Sequence, residues 1–108
     1  MLIESGTLIV YTLIGQPVGY MGILVDNFTG DNSRYIALSK PILEIRNQDP
    51  KTKEVRLSYM AIPGCNAKSH FIINQDTSPG AIIAYPDNET TTTYTTHSAK
   101  VYSGIHLA

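Results

Sequence analysis

The sequence predicts an all-β domain, a small and strongly bent five-stranded barrel with a C-terminal β-hairpin extension. Three observations carry that expectation. Five runs rich in β-branched and aromatic residues are joined by short loops of glycine, proline and asparagine, and no stretch has a convincing helical period. Gly22 stands inside the second run, as expected where a barrel turns a corner or another backbone comes close. The third run is long and interrupted by Pro41, which needs a bulge or sharp bend to stay in one sheet.

A chain of 108 residues makes one domain, since two cores of half that size would each bury too little surface. The barrel core is expected over about residues 7–74 and the extension over about 75–108. Thr7 to Ile14, dense in β-branched and aromatic residues, is strand one, at least partly buried on both faces, and Gly15 ends it. Gly19 to Asn27 is strand two, and Phe28 to Ser33 is a polar loop. Strand three runs from Arg34 to Asn47, with Ile36 and Leu38 on one face before Pro41, and Leu43 and Ile45 on one face after it. Gln48 to Lys53 is a solvated hairpin loop opened by Asp49-Pro50. Glu54 to Ile62 is strand four, Pro63 to Asn66 a tight turn, and Ser69 to Ile73 strand five. Ala81 to Tyr85 and Thr90 to Thr96 are expected to form the second hairpin around Pro86-Asp87-Asn88-Glu89, because threonine favours a pleated surface. Residues 99–107 alternate weakly and read as an edge strand.

Eight Lys plus Arg against nine Asp plus Glu leave a net charge of −1, so bulk attraction to nucleic acid is absent and any such contact is local. Cys65 is the only cysteine, which excludes an intrachain disulfide and makes the cytoplasm the expected compartment. No basic region precedes the first apolar residues and no apolar run nears the roughly 20 residues needed to span a bilayer, so neither a signal peptide nor a membrane partner is expected. His70, His97 and His106 lack metal-ligand spacing, and Cys65 with His70 lacks an orienting third group. Asp26 and Asp31 bracket a loop whose solvation explains them as well as acid–base chemistry does. No glycine-rich stretch matches a phosphate loop. The expectation is a protein that is not an enzyme, with no cofactor, no metal and no small-molecule substrate.

The order of these features resembles the Sm-like (LSm) family of small RNA-binding barrels, which includes the bacterial Hfq chaperones. Gly15 and Gly22-Ile23-Leu24 resemble the first part of its first motif, Asp31 falls in the acidic loop, and Tyr35 to Ile45 is similar to the apolar strand that follows. Met60-Ala61-Ile62-Pro63-Gly64 with strand five resembles the second motif, Ile-Pro-Gly standing where the family usually shows Ile-Arg-Gly. The likeness covers about residues 7–74. The family's N-terminal helix has no room in residues 1–6, and the extension after Ser78 has no counterpart.

The resemblance implies an Sm-like (SH3-like) barrel whose fourth and fifth strands pair edge to edge with neighbouring copies, closing a homo-oligomeric ring around a pore that binds single-stranded, uridine-rich RNA. Carried over residue by residue, it implies Asp31 and Asn32 for base-edge hydrogen bonds and Arg34 or Tyr35 as a stacking platform. It further implies Gly64 for close backbone approach, Asn66 for a polar contact and Lys68 for phosphate. Pro63 in place of the arginine weakens the RNA reading, because it removes from that loop the planar cation best suited to stacking and phosphate. The alternative is a structural or assembly ring that kept the fold and lost RNA binding.

Overall fold

A computed structural model describes residues 3–26 and 34–103. Its elements are β1 (Leu8–Leu13), β2 (Val18–Asp26), β3 (Tyr35–Gln48), β4 (Val55–Ala61), β5 (His70–Asn74), β6 (Gly80–Ala84) and α1 (Asn88–Val101). The strands form one antiparallel sheet in the order β4-β3-β2-β1-β6, with β5 also paired to β3. The first five strands lie where their apolar runs place them. The sheet has six strands rather than five and is not closed, because β6 takes the outer edge of β1 and pairs with neither β4 nor β5.

The expected interruption of the third strand is present. Met21 opposes Ile42 while Ile23 opposes Ser39, so two steps along β2 match three along β3, and the extra residue falls at Lys40-Pro41. Lys40 takes a φ of +48°, a left-handed conformation that costs a non-glycine residue about 1 kcal/mol. A second irregularity compensates in β2: Leu24 opposes Leu38 while Asp26 opposes Ala37, leaving Val25 as the extra residue.

An extra residue reverses which face the following side chains meet, so β3 serves two cores. Before the bulge Ile36 and Leu38 pack with Ile9, Tyr11, Leu13, Leu24 and Ile73 on the inner face, over which the bent sheet folds. Beyond it Ile42 packs on the outer face with Val10, Met21 and Tyr94. Met21 and Ile42 are fully buried, and each contributes roughly 2 kcal/mol of apolar burial. Gly22 sits against β3 as expected: a Cβ there would lie 2.8 Å from the Leu38 Cβ.

The C-terminal hairpin is not formed: residues 88–101 are α-helical and cover the outer face, and they include the start of the expected edge strand, whose residues 104–107 lie outside the described ones. Local hydrogen bonds explain why the threonine run leaves the sheet. The Asp87 carboxylate caps the first turn by accepting from the Thr90 N–H at 2.8 Å. The Thr91 and Thr95 hydroxyls donate to the carbonyls of Asp87 and Thr91, both at 2.9 Å, so the polar side chains are satisfied within the helix. Tyr94, His97 and Val101, spaced by three and then four residues, form the stripe that meets the sheet. The Tyr94 hydroxyl donates to the Lys40 carbonyl at 2.9 Å, and the Tyr102 hydroxyl donates to the Pro41 carbonyl.

Candidate functional site

Asp31 and Asn32 lie outside the described residues. Arg34 and Tyr35 are exposed at the start of β3, and the Arg34 guanidinium stands 3.9 Å from Asp76, a pair too solvated to hold either side chain firmly. Gly64 has a φ of +88° in a turn closed by the Cys65 N–H donating to the Ile62 carbonyl at 3.0 Å. Proline then glycine at its centre fits a type II turn, so the glycine is needed for backbone shape. The Asn66 carboxamide oxygen accepts from the Lys68 N–H at 2.8 Å and thereby shapes its own loop, while the Lys68 side chain is exposed.

Among the described residues, Arg34 and Tyr35 do not meet Gly64, Asn66 and Lys68 within one chain. Tyr35 opposes Asn74 and Ser39 opposes His70, so the two loops leave opposite ends of the β3–β5 ladder. Four residues at ~3.3 Å each separate those ends by about 13 Å. The separation follows from the antiparallel register of β5, which no local feature of either loop encodes.

The open edges of the sheet present a different surface. β2 occupies one side of β3 along its length, so β4 and β5 share the other side, β5 before the bulge and β4 beyond it. Among the described residues their outer backbone edges are unpaired in the sheet, as is the outer edge of β6. Apolar side chains cluster there: Leu57 on β4 is 50% exposed, Ile72 on β5 59% and Ile83 on β6 49%. Val55, Met60 and Ile82 extend these surfaces. An edge of this kind pairs readily with another chain unless charge or covering protects it. Both signs stand on and beside β4 (Asp49, Lys51, Lys53, Glu54 and Arg56), Asp76 follows β5 beside Arg34, and the acidic Asp87 and Glu89 follow β6.

Between the start of α1 and the outer face lies an open cleft of about 300 Å³, lined by Val10, Thr12, Glu44, Arg46, Ile83, Pro86, Asp87 and Thr90. One Arg46 N–H group donates to the Gln16 carbonyl at 3.1 Å. The Tyr59 hydroxyl is pushed up to about 12, first by burial and then by the charge and hydrogen bonding of Glu44. The Tyr59 ring also lies 4.6 Å from that of His97. The Asp87 carboxyl is held below the usual aspartate value, chiefly by the hydrogen bond from the Thr90 backbone. The cleft and the β6 edge were not legible in the sequence, because one depends on α1 and the other on strand order, whereas the β4 and β5 edges are those through which the family resemblance implies pairing. Among the described residues no helix is long and apolar enough to cross a membrane. Compared with family models, curated proteins and solved structures, the chain matches none.

Proposed function

We propose that the chain is a non-catalytic assembly module with an Sm-like barrel, and that copies of it associate head to tail through the open edges of the sheet. The observation that carries the reading is the sheet's two open ends, each with a backbone edge unpaired among the described residues and with exposed apolar side chains. Pairing the β4–β5 side of one copy with the β6 side of the next gives backbone partners to both edges and covers their apolar side chains. Such a contact is heterologous, and it forms a ring when the rotation between copies closes. The meander from β1 to β4 and the bent third strand agree with the family resemblance.

Sedimentation at micromolar concentration tests the proposal. The expected result is a discrete oligomer that Leu57→Lys converts to folded monomer, with the circular dichroism of the parent chain. A strictly monomeric parent at that concentration rejects it.

Single-stranded RNA is the second reading, favoured by the adjacent exposed Arg34 and Tyr35. An aromatic ring and a planar cation side by side can hold an unpaired base and its phosphate. Saturable binding of oligouridine at low salt, tighter than that of oligoadenine and lost in Arg34→Ala/Tyr35→Ala, is the expected result. An unchanged affinity in that variant removes this reading and leaves assembly standing alone.

A further inference from the structure

We infer that α1 is a clamp on the joint of β3, and that its docking sets the angle between the β4 and β5 edges. The joint is short. β3 pairs with β5 from Tyr35 to Ser39 and with β4 from Ile42 to Gln48, leaving only Lys40 and Pro41 between the two ladders. Lys40 is held at a φ of +48°, and Pro41 has no N–H with which to anchor itself. The carbonyls of these two residues accept the hydroxyls of Tyr94 and Tyr102, both supplied by α1 and its C-terminal cap.

The clamp is built to be released. Tyr94 is the one residue of α1 that is buried, and six of its fourteen residues are threonines of poor helix propensity. The helix rests chiefly on β3 and β4, so its departure frees the β4 side of the joint while the inner core, made by β1, β2, β3 and β5, keeps its packing. A small helix held by few contacts beside a strained residue forms a locally unfolding unit. Anything that binds or modifies α1 is thereby felt at the edges. That consequence for assembly rests on the self-association reading; the clamp itself does not.

Backbone hydrogen exchange of the full chain tests it, comparing the parent with Tyr94→Phe/Tyr102→Phe, which removes the two hydroxyls and keeps the rings. Losing two hydrogen bonds of ordinary strength is expected to speed exchange at Leu43 and Met60, which oppose each other in the β3–β4 ladder, by about tenfold, with Ile9, Tyr11 and Leu24 within about twofold of the parent. Asp87→Ala, which weakens α1 at its far end, is expected to loosen the same amides and keeps the test open if the double variant misfolds. Unchanged exchange at the joint overturns the inference, as does equal acceleration in β1, which would make helix and sheet one cooperative unit. Sedimentation of the same samples separates the two proposals: a monomeric parent rejects assembly, whereas the exchange pattern judges the clamp in either case.

Discussion

Replacing Gly22 by alanine adds one methyl group where the sheet is most tightly bent. The new Cβ lies 2.8 Å from the Leu38 Cβ, 3.1 Å from the Ser39 carbonyl oxygen and 3.4 Å from a terminal methyl of Leu38. Leu38 is fully buried, so β2 and β3 must separate locally. Overpacking by a methyl costs about 1–3 kcal/mol, offset by roughly 0.5–1 kcal/mol because glycine loses more freedom on folding than alanine. The expected net loss is about 1.5 kcal/mol. With a urea slope near 1.5 kcal/mol per molar, the unfolding midpoint falls by about 1 M. Urea titration followed by circular dichroism measures it. Because the nearest atom is a Cβ, which every residue but glycine keeps, adding Leu38→Ala is expected to bring no rescue. A midpoint within about 0.2 M of the parent, or recovery in the double variant, would refute the close approach assigned to these strands.

Three further perturbations probe other parts of the fold. Tyr11→Phe removes the hydroxyl that donates to the Ser78 carbonyl at 2.6 Å and ties β1 to the turn before β6; a loss of about 1–2 kcal/mol in urea titration is expected, and none would place that contact outside the folding balance. The Tyr94 and Tyr102 hydroxyls are pushed up to about 12, mainly by burial, from an ordinary value of 10.0. Folding therefore favours their protonated form, a contribution complete below pH 10 and lost as pH rises through about 12. Phenolate absorbance and the helical signal are expected to change together across that window, and ordinary titration with an intact helix would contradict the docking of α1. Asp87→Ala is expected to reduce the helical signal at neutral pH. In the parent the lowered Asp87 carboxyl gives stability present above the ordinary aspartate range and lost as pH falls through its depressed value, so acid should reproduce the variant and leave the variant itself indifferent.

The strands were legible wherever pattern and burial act locally. Residues 8–13 are apolar but for Thr12 because β1 has β2 and β6 at its sides, the inner core on one face and the outer core on the other. Pro41 announced the bend, and the change of phase between Ile36/Leu38 and Leu43/Ile45 marked the extra residue, since Leu43 and Ile45 oppose Tyr20 and Val18 on the inner-core face. The threonine run misled because β propensity describes a packed, pleated environment that residues 90–96 never enter. Signals for the helix were present in Asp87 before Glu89 and Thr90, in Lys100 near its end, and in the spacing of Tyr94, His97 and Val101. The site was less legible than the fold. Gly64 and Asn66 prove to shape their turn, and the distance between the two loops depends on how β5 registers against β3.

The paired irregularities at Val25 and Lys40 give this chain something like a reading frame. Deleting one residue between Ile36 and Leu43 would exchange inside for outside along half of β3, exposing one core or the other however conservative the residue removed. A compensating deletion in β2 would restore pairing but not the turn of the sheet. Substitutions can therefore accumulate across β2 and β3 far more freely than changes of length, and distant relatives of this chain should vary in residue type there while keeping their residue count.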